Sequence, residues 1–298
     1  MLQILSYTFM QRALVASTII GIVCAVIGVY VVLKGLAFIG TGIAHASFGG
    51  VALGFLFGWN LILTAALFSI FGALGIGVVS RRGEVKEDTA IGIFFSASMA
   101  FGVLIIGLLQ GYNIDLFGYL FGSVLAVTQE DILLSGALGL GILIIIGLFF
   151  KEFLFISFDQ EMAQVVGVPA ALLYYLLLAL MALTVVISIK VVGIILVEAL
   201  IVTPAAAAYQ LTDDFKRMMT IAVVIGVVSS IAGLFFSYWL NIASGATIVL
   251  TSTLIFGGAA LLSPRRRQRP VEAPGAEPAL GLEPATDGEK APSSYTEL

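Results

Sequence analysis

Residues 35–80 read GLAFIGTGIAHASFGGVALGFLFGWNLILTAALFSIFGALGIGVVS, and no Asp, Glu, Lys or Arg interrupts them. One membrane helix needs roughly 20 predominantly apolar residues, so this stretch is long enough for two. A strand of a membrane barrel would alternate polar and apolar residues over about 10 positions. No such alternation is present here, and the helical reading wins. The stretch therefore predicts two helical segments, near 36–57 and 60–80, in a chain whose exterior is apolar.

The rest of the chain repeats the pattern. Ala13 to Leu33, Thr89 to Ile114 and Met218 to Pro264 are likewise uncharged. Of 298 residues 60% are hydrophobic and only 11% charged, where a globular domain carries about a quarter charged residues. A soluble protein of this composition has too little polar surface to cover itself. Further segments are predicted near 13–33, 89–109, 131–150, 170–188, 191–210, 219–239 and 245–263. The expected fold is all-α, a polytopic transmembrane bundle of eight or nine spans over residues 1–263. The glycine-rich part, 34–60, reads equally as a full span, a short helix or a re-entrant segment.

Basic residues give the orientation. Arg81, Arg82 and Lys86 mark one loop, Lys151 a second, Lys216 and Arg217 a third, and Arg265, Arg266, Arg267 and Arg269 follow the last span. Two spans separate each group from the next, which puts all four on one face, the cytoplasmic one. Lys34 and Lys190 fit this scheme less cleanly. The first apolar run leads to Lys34 and more membrane sequence, unlike a cleavable signal peptide. Residues 264–298 hold six of the eight prolines with Glu, Gly, Ser and Ala. Such a segment cannot bury enough apolar surface to offset its ordering entropy, and is expected to be a disordered cytoplasmic tail. The net charge of −4, with no basic, aromatic-interleaved surface, gives no basis for nucleic-acid binding. The single cysteine, Cys24, sits in an apolar run and reads as a packing residue.

Two side chains are costly to bury. Glu198 falls in the middle of the segment Val191 to Leu211, and a carboxylate at the bilayer centre costs a few kcal/mol, on the order of 2.5–3.5. Pro204 follows and is expected to kink that helix by leaving the Leu200 carbonyl free. The pair reads as an oxygen-rich cation site or as a structural glutamate paired across helices. His45 is the sole histidine. Thr41 lies one turn before it on the same helix face. Imidazole is a common ligand of first-row transition metals, and equally a packing residue that hydrogen-bonds between helices. Gly42, Ala46, Gly50, Gly54 and Gly58 form a small-residue stripe at spacing four, the pattern that lets membrane helices approach closely.

After Lys151, Phe158 to Pro169 read as one short helix, with Ser157 and Gln160 as a capping box and Gly167 at its stop. It is either an interfacial helix or a docking surface for a cytoplasmic partner. No Gly-Lys dipeptide occurs, so there is no nucleotide-binding P-loop. His-Glu-x-x-His, Cys-x-x-Cys and Gly-x-Ser-x-Gly motifs are also absent. The chain is not expected to be an enzyme or to hold a cofactor.

Three blocks carry a family resemblance: Val31 to Gly54, Phe158 to Pro169, and Ala182 to Leu196 continuing through Thr203 to Ala208. With them the chain, from about Leu14 to Leu262, resembles the membrane permeases of bacterial ABC-type zinc, manganese and iron importers. The resemblance implies a type II importer-like permease in the cytoplasmic membrane, working as a homodimer above two ATPase subunits. An extracytoplasmic metal-binding protein would deliver the ion, and ATP would drive alternating access. Phe158, Asp159, Glu161 and Gly167 would belong to the coupling helix against the ATPase, and His45 would be a transient ligand on the path. Many members carry an aspartate one turn before this histidine, whereas this chain has Thr41. Glu198 is therefore expected to supply the missing charge, with His45 and Thr41 completing the metal site. The alternatives are an ion-coupled secondary transporter and a membrane scaffold that transports nothing.

Overall fold

The computed structural model describes residues 7–81, 85–109, 116–122, 127–194 and 196–263, and every regular element among them is helical. In hydrocarbon each backbone N–H and C=O must be satisfied within the protein, and a helix does this inside a single segment. Among the described residues eight helices are long and apolar enough to cross a bilayer. They are α1 (Thr8–Leu33), α2 (Ile39–Phe57), α3 (Leu61–Arg81), α4 (Glu87–Leu108), α6 (Gln129–Leu148), α9 (Ala170–Val192), α11 (Phe215–Leu240) and α12 (Ser244–Leu262). Between them lie α5 (Leu116–Phe121), α7 (Phe150–Phe158), α8 (Gln160–Val165) and α10 (Val197–Leu211).

The stretch 34–60 holds a full span. At about 1.5 Å per residue, the 19 residues of α2 rise about 28 Å, close to the bilayer's hydrocarbon thickness. Gly58 ends the helix in the left-handed region at φ 65°, and its N–H donates to the Gly54 carbonyl. The small-residue stripe packs α2 on α3. A Cβ added at Gly50 would lie 2.6 Å from the Thr64 carbonyl oxygen and 2.8 Å from the Ala65 Cα.

α2 also packs on α4 and α9, while α1 packs on α10, α11 and α6. α1, α2 and α9 are the most buried spans, and α4, α6 and α12 leave most of their surface uncovered. Cys24 is buried at 3.4 Å from the Ser188 hydroxyl, a packing position between α1 and α9.

With α2 a full span, Lys34 and Arg81 are two crossings apart and share one end of the bundle. Lys34 Nζ donates to the Ile156 carbonyl at 2.9 Å and to Gln160 Oε1 at 3.3 Å. Burial, with repulsion from Arg81, pulls its ammonium below the ordinary lysine value, and Glu87 opposes this. The Arg81 guanidinium lies over the rings of Tyr174 and Tyr175 at 5.3 and 5.9 Å. Lys34, which fitted the loop scheme poorly in sequence, thus joins the basic, cytoplasmic end. The side chain of Lys190, residues Arg82, 110–115 and 123–126, and the expected tail 264–298 with its four arginines lie outside the described residues.

Two sequence-based boundaries are corrected. The seventh apolar segment does not begin at Val191: α9 runs on to Val192 and ends at Gly193. Gly193 adopts φ 90° there, a conformation strained for any residue with a side chain. α10 starts at Val197 and runs through Pro204 without ending. Second, Phe158 to Pro169 is not one helix. Phe158 closes α7; Asp159, in extended conformation, caps α8 by accepting from the Met162 N–H at 2.8 Å. Ser157, the expected cap, donates instead to the Phe153 carbonyl. Gly167 does sit past the helix end at φ 91°, as predicted.

Candidate functional site

Glu198 is not in mid-helix. It stands in the first turn of α10, just after the break at Gly193, where the unpaired N–H groups and the helix dipole favour a negative charge. The break thus moves the carboxylate from a costly position to a supported one. It also brings Glu198 against the start of α2. A Cβ added at Gly40 would sit 3.3 Å from Glu198 Cγ and 3.0 Å from Met181 Cε. Glycine at 40 leaves the room that the acid occupies, a signal invisible before the two helices are placed side by side.

Thr41 joins the two singled-out residues. Its hydroxyl donates a short hydrogen bond to Glu198 Oε2. Its backbone carbonyl accepts from His45 Nδ1 at 2.9 Å. A carbonyl can only accept, so Nδ1 carries the proton, and in the neutral imidazole Nε2 keeps the lone pair. That is the arrangement of metal-ligating histidines, whose second nitrogen is fixed by a backbone carbonyl or a carboxylate. Phe95 of α4 lies against the imidazole with ring centroids 4.3 Å apart. All three polar residues are partly buried.

The groups linked through Thr41 are one imidazole, one carboxylate and neutral oxygens. Among the described residues no three His, Cys, Asp or Glu side chains gather in one place. The remaining predicted positions lie apart, at the cytoplasmic end. Phe158, 68% exposed, and Val165, 82% exposed, present apolar surface around α8. Asp159 is committed to its cap, Glu161 is in the first turn of α8, and Gly167 ends the segment.

Eight apolar helices of spanning length among the described residues define a multi-pass membrane protein. Residues 6–263 match the ABC 3 transport family, and the chain belongs to it. It is 42% identical to the manganese transport system membrane protein MntC of Halalkalibacterium halodurans, over 89% of this chain and 90% of that one. A probable iron transport system membrane protein of Haemophilus influenzae is 37% identical over 86% of this chain and 94% of its own length. Among solved structures, PsaBC from Streptococcus pneumoniae superposes with a TM-score of 0.82 at 36% identity, covering 90% of this chain and 96% of that one.

Proposed function

We propose that this chain is the membrane-spanning permease of an ATP-driven importer that carries a divalent transition metal inward, with manganese its first-choice substrate. The observation that carries the reading is the Thr41 node. One residue of α2 bonds both the only imidazole of the chain, through its carbonyl, and an intramembrane carboxylate, through its hydroxyl. Oxygen ligands suit manganese, and imidazole suits first-row metals generally. The names of the manganese relatives favour that ion, and the iron relative keeps ferrous iron within range.

In this reading His45 Nε2 and the Glu198 carboxylate replace part of the ion's water shell while Thr41 orients both. Their small number lets the ion go. The exposed apolar surface of α7 and α8 around Phe158 and Val165 receives an ATPase subunit, Lys34 ties that segment to the linker before α2, and Glu161 and Gly167 complete the contact. A second copy of this chain pairs with it in the membrane, and an extracytoplasmic metal-binding protein delivers the ion.

The test is metal-resolved uptake into vesicles that hold the chain with its ATPase. His45→Ala and Glu198→Ala are expected to abolish manganese uptake while the complex still assembles. Normal uptake by both variants would defeat the assignment, and uptake driven by an ion gradient without any ATPase would replace it with a secondary transporter.

A further inference from the structure

α2 and α4 run in the same direction from the cytoplasmic end, and a groove of about 360 Å³ lies between them. Phe38, Thr41, Asp88, Ile91, Gly92 and Phe95 line it. On α4 the positions 88, 91, 92 and 95 follow the spacing of one helix face, as do 41 and 45 on α2, with Phe38 at its N-cap. The two faces are in register. Phe95 meets His45 at the deep end, Ile91 lies beside Gly42 one turn nearer the cytoplasm, and Asp88 and Phe38 form the mouth. At the midpoint Gly92 offers no side chain, and a Cβ added there would meet nothing within 4 Å.

Among the described residues Asp88 is the only charged one lining this groove. It is exposed, in the first turn of α4. It lies seven positions before Phe95, about 10 Å along the helix axis. Its neighbour Glu87 borders a different cavity, with Lys34, Arg81 and Tyr174. Acids in a first helical turn commonly serve the helix dipole, but Glu87 shares that role, and the position in the groove is Asp88's alone.

We propose that Asp88 is the release-side ligand of the transported cation: a hydrated, low-affinity carboxylate that receives the divalent ion leaving His45, Thr41 and Glu198 and passes it to the cytoplasm. The inference rests on the permease reading above and adds a second stop to it. Conduction through a narrow path works best with successive sites, each weak enough to leave. The deep node strips water from the ion. An exposed carboxylate about two helical turns away returns it, since the ion keeps one anionic oxygen while water fills its remaining positions. The apolar walls between, Phe38, Ile91 and Phe95, offer no competing ligand that would trap the ion on the way.

The test uses the full complex with its ATPase in vesicles and manganese(II) as the probe. Asp88→Asn is expected to lower the uptake rate about tenfold, while equilibrium manganese binding to the resting complex stays within twofold of wild type. Asp88→Glu restores uptake. Should the Asn variant assemble poorly, Asp88→Ser removes the charge while keeping a side chain suited to a helix start. Wild-type uptake by the neutral variants overturns the inference, as does a parallel loss of uptake and binding, which marks a structural role. His45→Ala, run alongside, separates the two readings. If it transports normally the deep site is wrong; if it is inactive and Asp88→Asn is normal, only the release-side role is lost.

Discussion

Replacing Thr41 with valine removes one hydroxyl and keeps the branched shape. His45 holds its place, because its partner is the backbone carbonyl of residue 41. Glu198 loses the donor on Oε2 and remains partly buried beside Gly40. A hydrogen bond to a charged group contributes about 1.5–3 kcal/mol, and every 1.4 kcal/mol is about tenfold in an equilibrium. If that energy holds the carboxylate in its metal-binding position, Thr41→Val lowers manganese uptake at subsaturating metal by about 10- to 150-fold. Thr41→Ser, which keeps the hydroxyl, stays near wild type. The assay is the initial rate of uptake into vesicles at equal amounts of assembled complex. Uptake by the valine variant within twofold of wild type, with serine the same, would refute the reasoning, because the hydroxyl would then orient nothing that matters.

Further outcomes follow from other contacts. Gly50→Ala places a methyl 2.6 Å from the Thr64 carbonyl oxygen; overpacking of this kind costs about 1–3 kcal/mol, and a thermal-shift assay in detergent is expected to show a lower Tm, whereas an unchanged Tm would mean α2 and α3 are free to separate. Asp159→Ala removes the cap of α8, worth about 1 kcal/mol; ATPase binding is expected to weaken by about fivefold, Asp159→Ser to retain it, and equal binding by all three would remove α8 from the interface. Lys34→Met deletes both bonds to the α7–α8 segment and keeps the apolar stem. Metal transported per ATP hydrolysed is expected to fall several-fold, about what one to two hydrogen bonds are worth, while hydrolysis continues; a proportional fall in both would show that Lys34 serves only assembly.

Much of the architecture was legible in the chain because lipid imposes it. The uncharged run 35–80 was long enough for two helices, although its glycine-rich part also allowed a short or re-entrant helix, and the stripe from Gly42 to Gly58 pointed to close packing. His45 and Glu198 stood out because polar groups are rare in such runs. What stayed hidden depends on tertiary placement. The break after α9 is encoded by Gly193, one glycine among many. Only its φ of 90° shows that Glu198 opens a helix instead of interrupting one. Ser157 and Asp159 are both good caps by residue type, and the register of α7 decided between them. Lys34 looked misplaced until α2 proved to be a full span. Asp88 looked like any charge at a span end, since nothing in its own segment shows that α2 brings Thr41 to the same groove.

Moving the negative charge tests the central claim most directly. Glu198→Gln alone is expected to abolish uptake of radiolabelled manganese. Adding Thr41→Asp, which puts a carboxylate one turn before His45, is expected to restore a substantial part of it. Wild-type uptake by the single variant, or a double variant as inactive as the single one despite full assembly, would contradict the claim that one acid and one imidazole, meeting at residue 41, carry the ion.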